Sequence, residues 1–172
     1  MTPEITIRQA TKEDITLIRD LAQIIFPHTY GSMLSQEQID YMMEWMYSPK
    51  NIAAGLDAGQ EYFIVEMAGT PVSYSAIAPQ EDDPDGTKVF ELLRIYILPE
   101  YQKIGLGKLL FEYVCNHIRS KDLPKCRIML HVNRDNPAVQ FYLHQGMQIL
   151  YSKDFDIGHN FWMTDHIMGM DL

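Results

Sequence analysis

Apolar and polar residues alternate along Ile5–Gln9, the period of a half-buried strand. The period then changes. Ile15, Ile18, Leu21, Ala22 and Ile25 recur every three or four residues, which predicts a helix capped by Thr11 with Asp14 three positions on. This helix is expected to end near Pro27, leaving Phe26-Pro27-His28-Thr29-Tyr30-Gly31 as a loop rich in aromatic and polar groups. Ser35 and Gln38 have the spacing of a capping box for a second helix, with Ile39, Met42, Met43, Met46 and Tyr47 on its apolar face. Helical spacing makes those methionines core filler. Residues 48–59 read as a loop. Glu61–Met67 alternates as a strand, Ala68-Gly69 supplies a hairpin turn, and Pro71–Ala78 returns. Residues 79–87 hold Glu81, Asp82, Asp83, Asp85 and two prolines, the composition of a solvated loop.

Val89–Leu98 is a continuous apolar run with β-branched and aromatic members, so it reads as a strand buried on both faces. Pro99 and Glu100 stop it. Leu106, Leu109, Leu110, Tyr113, Val114 and Ile118 then return to helical spacing. Cys126–Val132 is a further strand. Asn136 is placed to cap a short helix with Pro137 at its first position, and Gly146 to end it. Gln148–Lys153 and Phe161–Asp171 close the chain as strands. The order βααβββαβαββ predicts an α+β to α/β fold, with a mixed, largely antiparallel central sheet flanked by about four helices. A length of 172 residues fits one domain over 1–172.

Composition narrows the function classes. The net charge is -9 and basic residues do not cluster, which speaks against a nucleic-acid face and for attraction of cationic small molecules. No run of apolar residues is long enough to span a membrane, so no membrane partner is expected. Cys115 and Cys126 form no CxxC and read as reduced core thiols. With no signal-like leader, the expected location is cytoplasmic. His28, His117, His131, His144, His159 and His166 show no paired metal spacing, HExxH is absent, and no metal is expected; each reads as a structural or surface histidine, with His28 beside the aromatic loop set apart.

The candidate chemistry lies between the central strand and the helix after it, in Gln102-Lys103-Ile104-Gly105-Leu106-Gly107-Lys108. A helix entered through glycines presents unshielded amides and the positive end of its dipole, a site for an anion and for phosphate above all. The stretch is not a Walker loop, because Leu109 stands where Ser or Thr would follow Lys108. Nor is it a dinucleotide fingerprint, because position 110 is Leu rather than a third glycine.

Gln102-x-x-Gly105-x-Gly107, with a strand before and a helix after, resembles the Q/R-x-x-G-x-G/A signature of the GNAT superfamily of acyl-CoA-dependent N-acyltransferases. Asn136-Pro137-Ala138-Val139-Gln140-Phe141-Tyr142-Leu143-His144-Gln145-Gly146-Met147 is similar to that superfamily's second motif, with Met147 in place of its usual Phe. The element order is also theirs. The resemblance implies acetyl-CoA as co-substrate, bound through Lys103, Ile104, Gly105, Leu106, Gly107 and Lys108 at the pyrophosphate. It further implies that Gln102 and the strand residues Tyr96, Ile97 and Leu98 contact the cofactor, the strand receiving its pantetheine arm. Tyr142 would protonate the departing thiolate, and Asn136 or its neighbour Asp135 would contact the cofactor.

Direct attack on the thioester also requires a neutral amine. Glu91, on the face of Leu93 and Ile95 by period two, is the candidate base; an ordered water, or no dedicated group, remains open. The 26–30 segment and Thr164-Asp165-His166-Ile167-Met168 resemble the spermidine/spermine acetyltransferase branch, and the acidic 81–85 loop suits a polycation. The implied function is N-acetylation of a primary amine, polyamine favoured. A peptide N-terminus, another small amine, or a non-catalytic acyl-CoA sensor are the alternatives. An edge exposed by the C-terminal strands leaves a homodimer open.

Overall fold

Thr11 starts the first helical segment through the predicted box. Its side chain accepts from Glu13 N–H, and Asp14 Oδ2 takes Thr11 N–H at 2.9 Å. In the computed structural model, which describes residues 2–172, a 3₁₀ turn over Lys12–Asp14 leads directly into the first α-helix. The elements are β1 (Ile5–Gln9), α1 (Ile15–Tyr30), α2 (Gln36–Tyr47), α3 (Pro49–Asp57), β2 (Glu61–Met67), β3 (Thr70–Pro79), β4 (Lys88–Ile97), α4 (Leu106–Arg119), β5 (Cys126–Asn133), α5 (Ala138–His144), β6 (Gln148–Gly158) and β7 (Phe161–Asp171). Hydrogen bonds join the strands in the order β1-β2-β3-β4-β5-β7-β6. The pairs β1–β2, β2–β3, β5–β7 and β6–β7 are antiparallel, and β4–β5 is parallel over Lys88–Glu91 against Cys126–Met129. The mixed, largely antiparallel sheet of the sequence reading is therefore present.

Three local readings change. Helix α1 does not end at Pro27 but runs through it to Tyr30. Phe26 is buried and lies 4.7 Å from the Tyr30 ring, so aromatic burial in the last turn outweighs the hydrogen bond that proline removes. Residues 48–59 are not a loop: Ser48 caps α3 by accepting from Asn51 N–H, with Pro49 at the first position, and Ile52 is buried beneath it. The order gains a helix and becomes βαααβββαβαββ. The third is β4, which is not buried on both faces. Phe90, Leu92 and Arg94 point inward, whereas Glu91, Leu93 and Ile95 are only half-buried.

Contacts divide the chain into two compact units, one running to Ala78 and including Arg94–Tyr113, the other Pro79–Leu93 with Val114–Leu172. In the first, Ile18, Ala22, Ile25, Phe26, Ile39, Ile52, Phe63 and Ile64 form much of the core. The β2–β3 turn has Ala68 and Gly69 at positive φ, the twist a tight hairpin needs. Ser73 and Ser75 of β3 donate to the carbonyls of Tyr96 and Arg94 at 2.7 Å. In the second unit, Ile128, Leu130, Val132, Ile167 and Met168 fill the interior. His159 and Asn160, both at positive φ, join β6 to β7.

Within the first unit, Tyr74 O–H donates to Tyr47 O at 2.8 Å, and both residues are fully buried. Burial pushes both hydroxyls above their ordinary range, so they stay neutral. Tyr47→Phe is expected to cost about 1–2 kcal/mol, because Tyr74 is left with a buried unpaired hydroxyl. Urea unfolding with an unchanged m-value is the check.

Candidate functional site

The glycine turn ahead of α4 is built as a cradle. Lys103 sits at φ 66 and Gly105 at φ 92, so the chain reverses sharply before Leu106. A φ of 92 suits glycine alone, and a Cβ placed there meets no atom within 4 Å. The first intrahelical bond runs from Leu109 N–H to Gly105 C=O, which places the amides of Leu106, Gly107 and Lys108 in the turn that has no carbonyl partners of its own. Lys103 and Lys108 are exposed, as are Ile104 and Gly105; Leu106 is buried and anchors the helix. Gln102 Nε2 donates to Ile97 C=O at 3.1 Å, pinning the turn to the end of β4.

That end of β4 is held from one side. Leu98 N–H donates to Val72 C=O, Tyr101 N–H donates to Leu98 C=O, and Ser73 occupies the Tyr96 carbonyl. The side chain of Tyr96 turns to the aromatic cluster, where its hydroxyl meets that of Tyr30 at 2.8 Å. His28, singled out in the sequence, is exposed on α1. These residues all belong to the first unit.

The second unit holds the other candidates. Tyr142 lies on α5, buried to 8% exposure, and its ring tilts against Phe141. Asn136 is also buried, and its Oδ1 accepts from Ala138 N–H at 2.9 Å. The expected cap is displaced by one residue: Pro137 is the N-cap, regular helix begins at Ala138, and Asn136 braces the entry from the position before it. Asp135 is exposed. Gly146 ends the segment at φ 101.

Glu91 proves to have company that sequence spacing did not reveal. His131 Nε2 of β5 is 3.6 Å from Glu91 Oε1, and Gln80 Nε2 is 3.4 Å from the same oxygen. On the far side, His131 Nδ1 is 3.9 Å from Asp165 Oδ2 of β7. Burial, helped by the Lys153 charge, lowers His131, so the imidazole is neutral at neutral pH. Asp165 is 1% exposed, and burial pushes its carboxyl up to about 6, with Arg134 opposing. The one available signal was period two, which puts Met129, His131 and Asn133 on one face of β5; which strands flank that face is a matter of topology.

An open, amide-lined turn with two lysines fits a diphosphate such as that of coenzyme A. The acetyltransferase (GNAT) family model matches residues 17–147. The chain belongs to the GNAT acetyltransferase family. It is an acetyl-CoA-dependent N-acetyltransferase. A spermidine N(1)-acetyltransferase of Thermoplasma acidophilum is 25% identical over 145 residues, covering 84% of this chain and 89% of that protein. The PaiA N-acetyltransferase of Thermoplasma acidophilum, solved in complex with coenzyme A, superposes with a TM-score of 0.79 at 23% identity, over 98% of this chain and 99% of that one. Arabidopsis thaliana Naa50, solved with a CoA–peptide bisubstrate analogue, gives a TM-score of 0.70 at 17% identity, over 98% and 99%.

Gly105→Ala is expected to weaken coenzyme A binding roughly tenfold, about 1.4 kcal/mol, because an alanine strains the turn. Isothermal titration calorimetry measures it, and an unchanged affinity would separate the turn from the cofactor. Asp165 offers a stability test with a defined sign. Its carboxyl binds a proton more tightly folded than unfolded, so stability falls as pH rises from about 4, and the loss is complete above the folded value of about 6. Asp165→Asn is therefore expected to leave stability unchanged near pH ~4 and raise it by about 3 kcal/mol near pH ~8. Thermal melts at the two pH values check this.

Proposed function

We propose that this acetyltransferase passes the acetyl group directly from acetyl-CoA to a primary amine, with a polyamine such as spermidine as the favoured acceptor. The observation that carries the reading is the glycine turn at Lys103–Lys108, open above Gly105 and followed by the free end of a helix. Bound acetyl-CoA supplies the activated acyl group. The amides of Leu106, Gly107 and Lys108, with the Lys103 and Lys108 side chains, hold the pyrophosphate. Gln102 keeps the turn registered on β4, whose Tyr96–Leu98 backbone receives the pantetheine arm.

The proton inventory closes with residues of the second unit. Glu91, with His131 beside it at 3.6 Å, takes the proton that the attacking ammonium must lose. Tyr142 gives a proton to the departing thiolate and regains one from solvent. An ordinary phenol, near ~10, and an ordinary thiol, near ~8.5, are close enough for that transfer. Asn136 contributes by fixing the start of α5, on which Tyr142 rides.

The polyamine preference draws support from the net charge of -9 and from the spermidine acetyltransferase relative. The acidic 81–85 loop adds less than its composition promises, since Asp82 pairs with Lys88 at 2.6 Å and Asp83 with Arg127 at 2.5 Å. A peptide N-terminus is the second reading, favoured by the likeness to Naa50 with its peptide analogue. A cytoplasmic location accords with Cys115 and Cys126, both buried free thiols.

The test is thiol release from acetyl-CoA with spermidine, spermine, amino acids and short peptides as acceptors. Turnover on spermidine is expected. Peptide turnover alone would move the acceptor assignment to the second reading. Tyr142→Phe is expected to lower kcat at least a hundredfold while leaving the Kd for coenzyme A unchanged. A variant with full turnover would remove Tyr142 from the mechanism.

A further inference from the structure

The face of the sheet that carries Glu91 continues across three neighbouring strands of the second unit. Glu91 pairs in parallel register with Met129, His131 follows two positions along β5, and Asn133 stands opposite Asp165 of β7. Period two puts these side chains on one face. His131 thus lies between two carboxylates, Nε2 toward Glu91 at 3.6 Å and Nδ1 toward Asp165 at 3.9 Å. The Phe155 ring from β6 packs on the imidazole, with centroids 5.0 Å apart, and limits its rotation.

Asp165 has no structural reason to be where it is. It is 1% exposed, and its Oδ1 has no hydrogen-bond partner among the described residues. A carboxylate kept only for structure would have its oxygens satisfied by amides or hydroxyls, because an unpaired buried charge is costly. We propose that Asp165 is a positioning residue for acetyl transfer: it orients His131 with Nδ1–H toward itself, leaving the Nε2 lone pair on the Glu91 side, and stabilises the imidazolium formed when the amine's proton arrives.

The step balances without any further reactant. The ammonium N–H bond breaks and a proton is bound at Nε2, directly or through Glu91. No electrons are transferred, and the proton returns to solvent before the next turnover. The charged and polar groups around the chain are Gln80 and Glu91 beside β4, Asn133 on β5, Arg134 after it, and Lys153 and Asp154 on β6. Lys153 opposes protonation of His131, and Arg134, itself paired with Asp154 at 2.6 Å, favours ionisation of Asp165. Asp165 is the anion that offsets Lys153. Above about pH 6 it is ionised and turns His131 Nδ1–H toward itself, so activity rises with pH through that value.

This inference rests on the proposed acetyl transfer, and the test keeps the two apart. The imidazole carbon and nitrogen resonances of His131, identified by their loss in His131→Gln, are followed against pH in the wild type and in Asp165→Asn. The expected wild-type titration carries a second inflection near 6, which Asp165→Asn removes while shifting the His131 midpoint downward. In Asp165→Asn, kcat with spermidine or a peptide acceptor is expected to fall roughly tenfold below its wild-type value at neutral pH, with KM for acetyl-CoA unchanged. As the reciprocal measurement, His131→Gln is expected to raise the midpoint of the Asp165 carboxyl carbon, which needs no activity and no second folded Asp165 variant. Midpoints that stay put in both variants would overturn the proposal, as would an equal loss of kcat at every pH. Coupled midpoints in a protein silent toward every amine would uphold the pairing and sink the acceptor reading instead.

Discussion

Strand β4 carries an ionised guanidinium into the interior, and much of the first unit is arranged to tolerate it. Arg94 is 9% exposed and, among the described residues, has no carboxylate partner and no partner at Nε; its Nη1 donates to the Tyr62 hydroxyl at 3.1 Å. The compensation is aromatic. The guanidinium lies 4.9 Å from the centre of the Tyr47 ring and 5.8 Å from that of Tyr62. Desolvated contacts of this kind contribute about 2 kcal/mol each, against several for burying the charge. Tyr74 links Tyr47 to Tyr96, and Tyr30 joins Tyr96 from the last turn of α1. The extension of α1 past Pro27, the burial of α2 through Tyr47 and the placing of Tyr96 are therefore parts of one arrangement.

Alternation along β4 then separates two kinds of chemistry. The inward face holds Phe90, Leu92 and Arg94, locked in apolar and aromatic surroundings. The other face holds Glu91, half-buried, with His131 at 3.6 Å and Asp165 on the far side of that imidazole, two groups whose titration burial shifts. A carboxyl moved toward neutral pH, as Asp165 is, suits proton transfer, whereas Arg94 needs only to stay charged and still. The glycine turn adds a third, independent element: backbone amides at a helix start, beside open space and a positive φ rather than any particular side chain.

Several acids that look free in the sequence are engaged in the fold. Asp82 and Asp83 pair with Lys88 and Arg127, and Asp85 caps Thr87 N–H at 3.0 Å. The 81–85 segment is thereby a braced turn on the second unit rather than an open acidic surface. The net charge of -9 acts on a cation at long range and weakly in salt.

Features that depend on neighbouring residues were legible before any folding was considered. Period two, a hairpin turn and apolar runs located the strands, and period 3.6 the helices with long apolar stripes. Thr11, Ser35 and the Ala68-Gly69 turn act where spacing placed them, and the glycine turn was legible because its requirement, a chain without Cβ before a helix, is written in consecutive residues. Local rules also produced the errors. Proline at 27 argued for a helix end, and a short stretch with only Ile52 and Leu56 as large apolar residues hid α3, because the burial of Phe26 and Ile52 that decides both is a tertiary quantity. The neighbours of Glu91 follow from strand pairing alone. His131 and Asp165 lie 40 and 74 residues further along the chain, and strand pairing, which no short-range pattern encodes, brings them onto the same face.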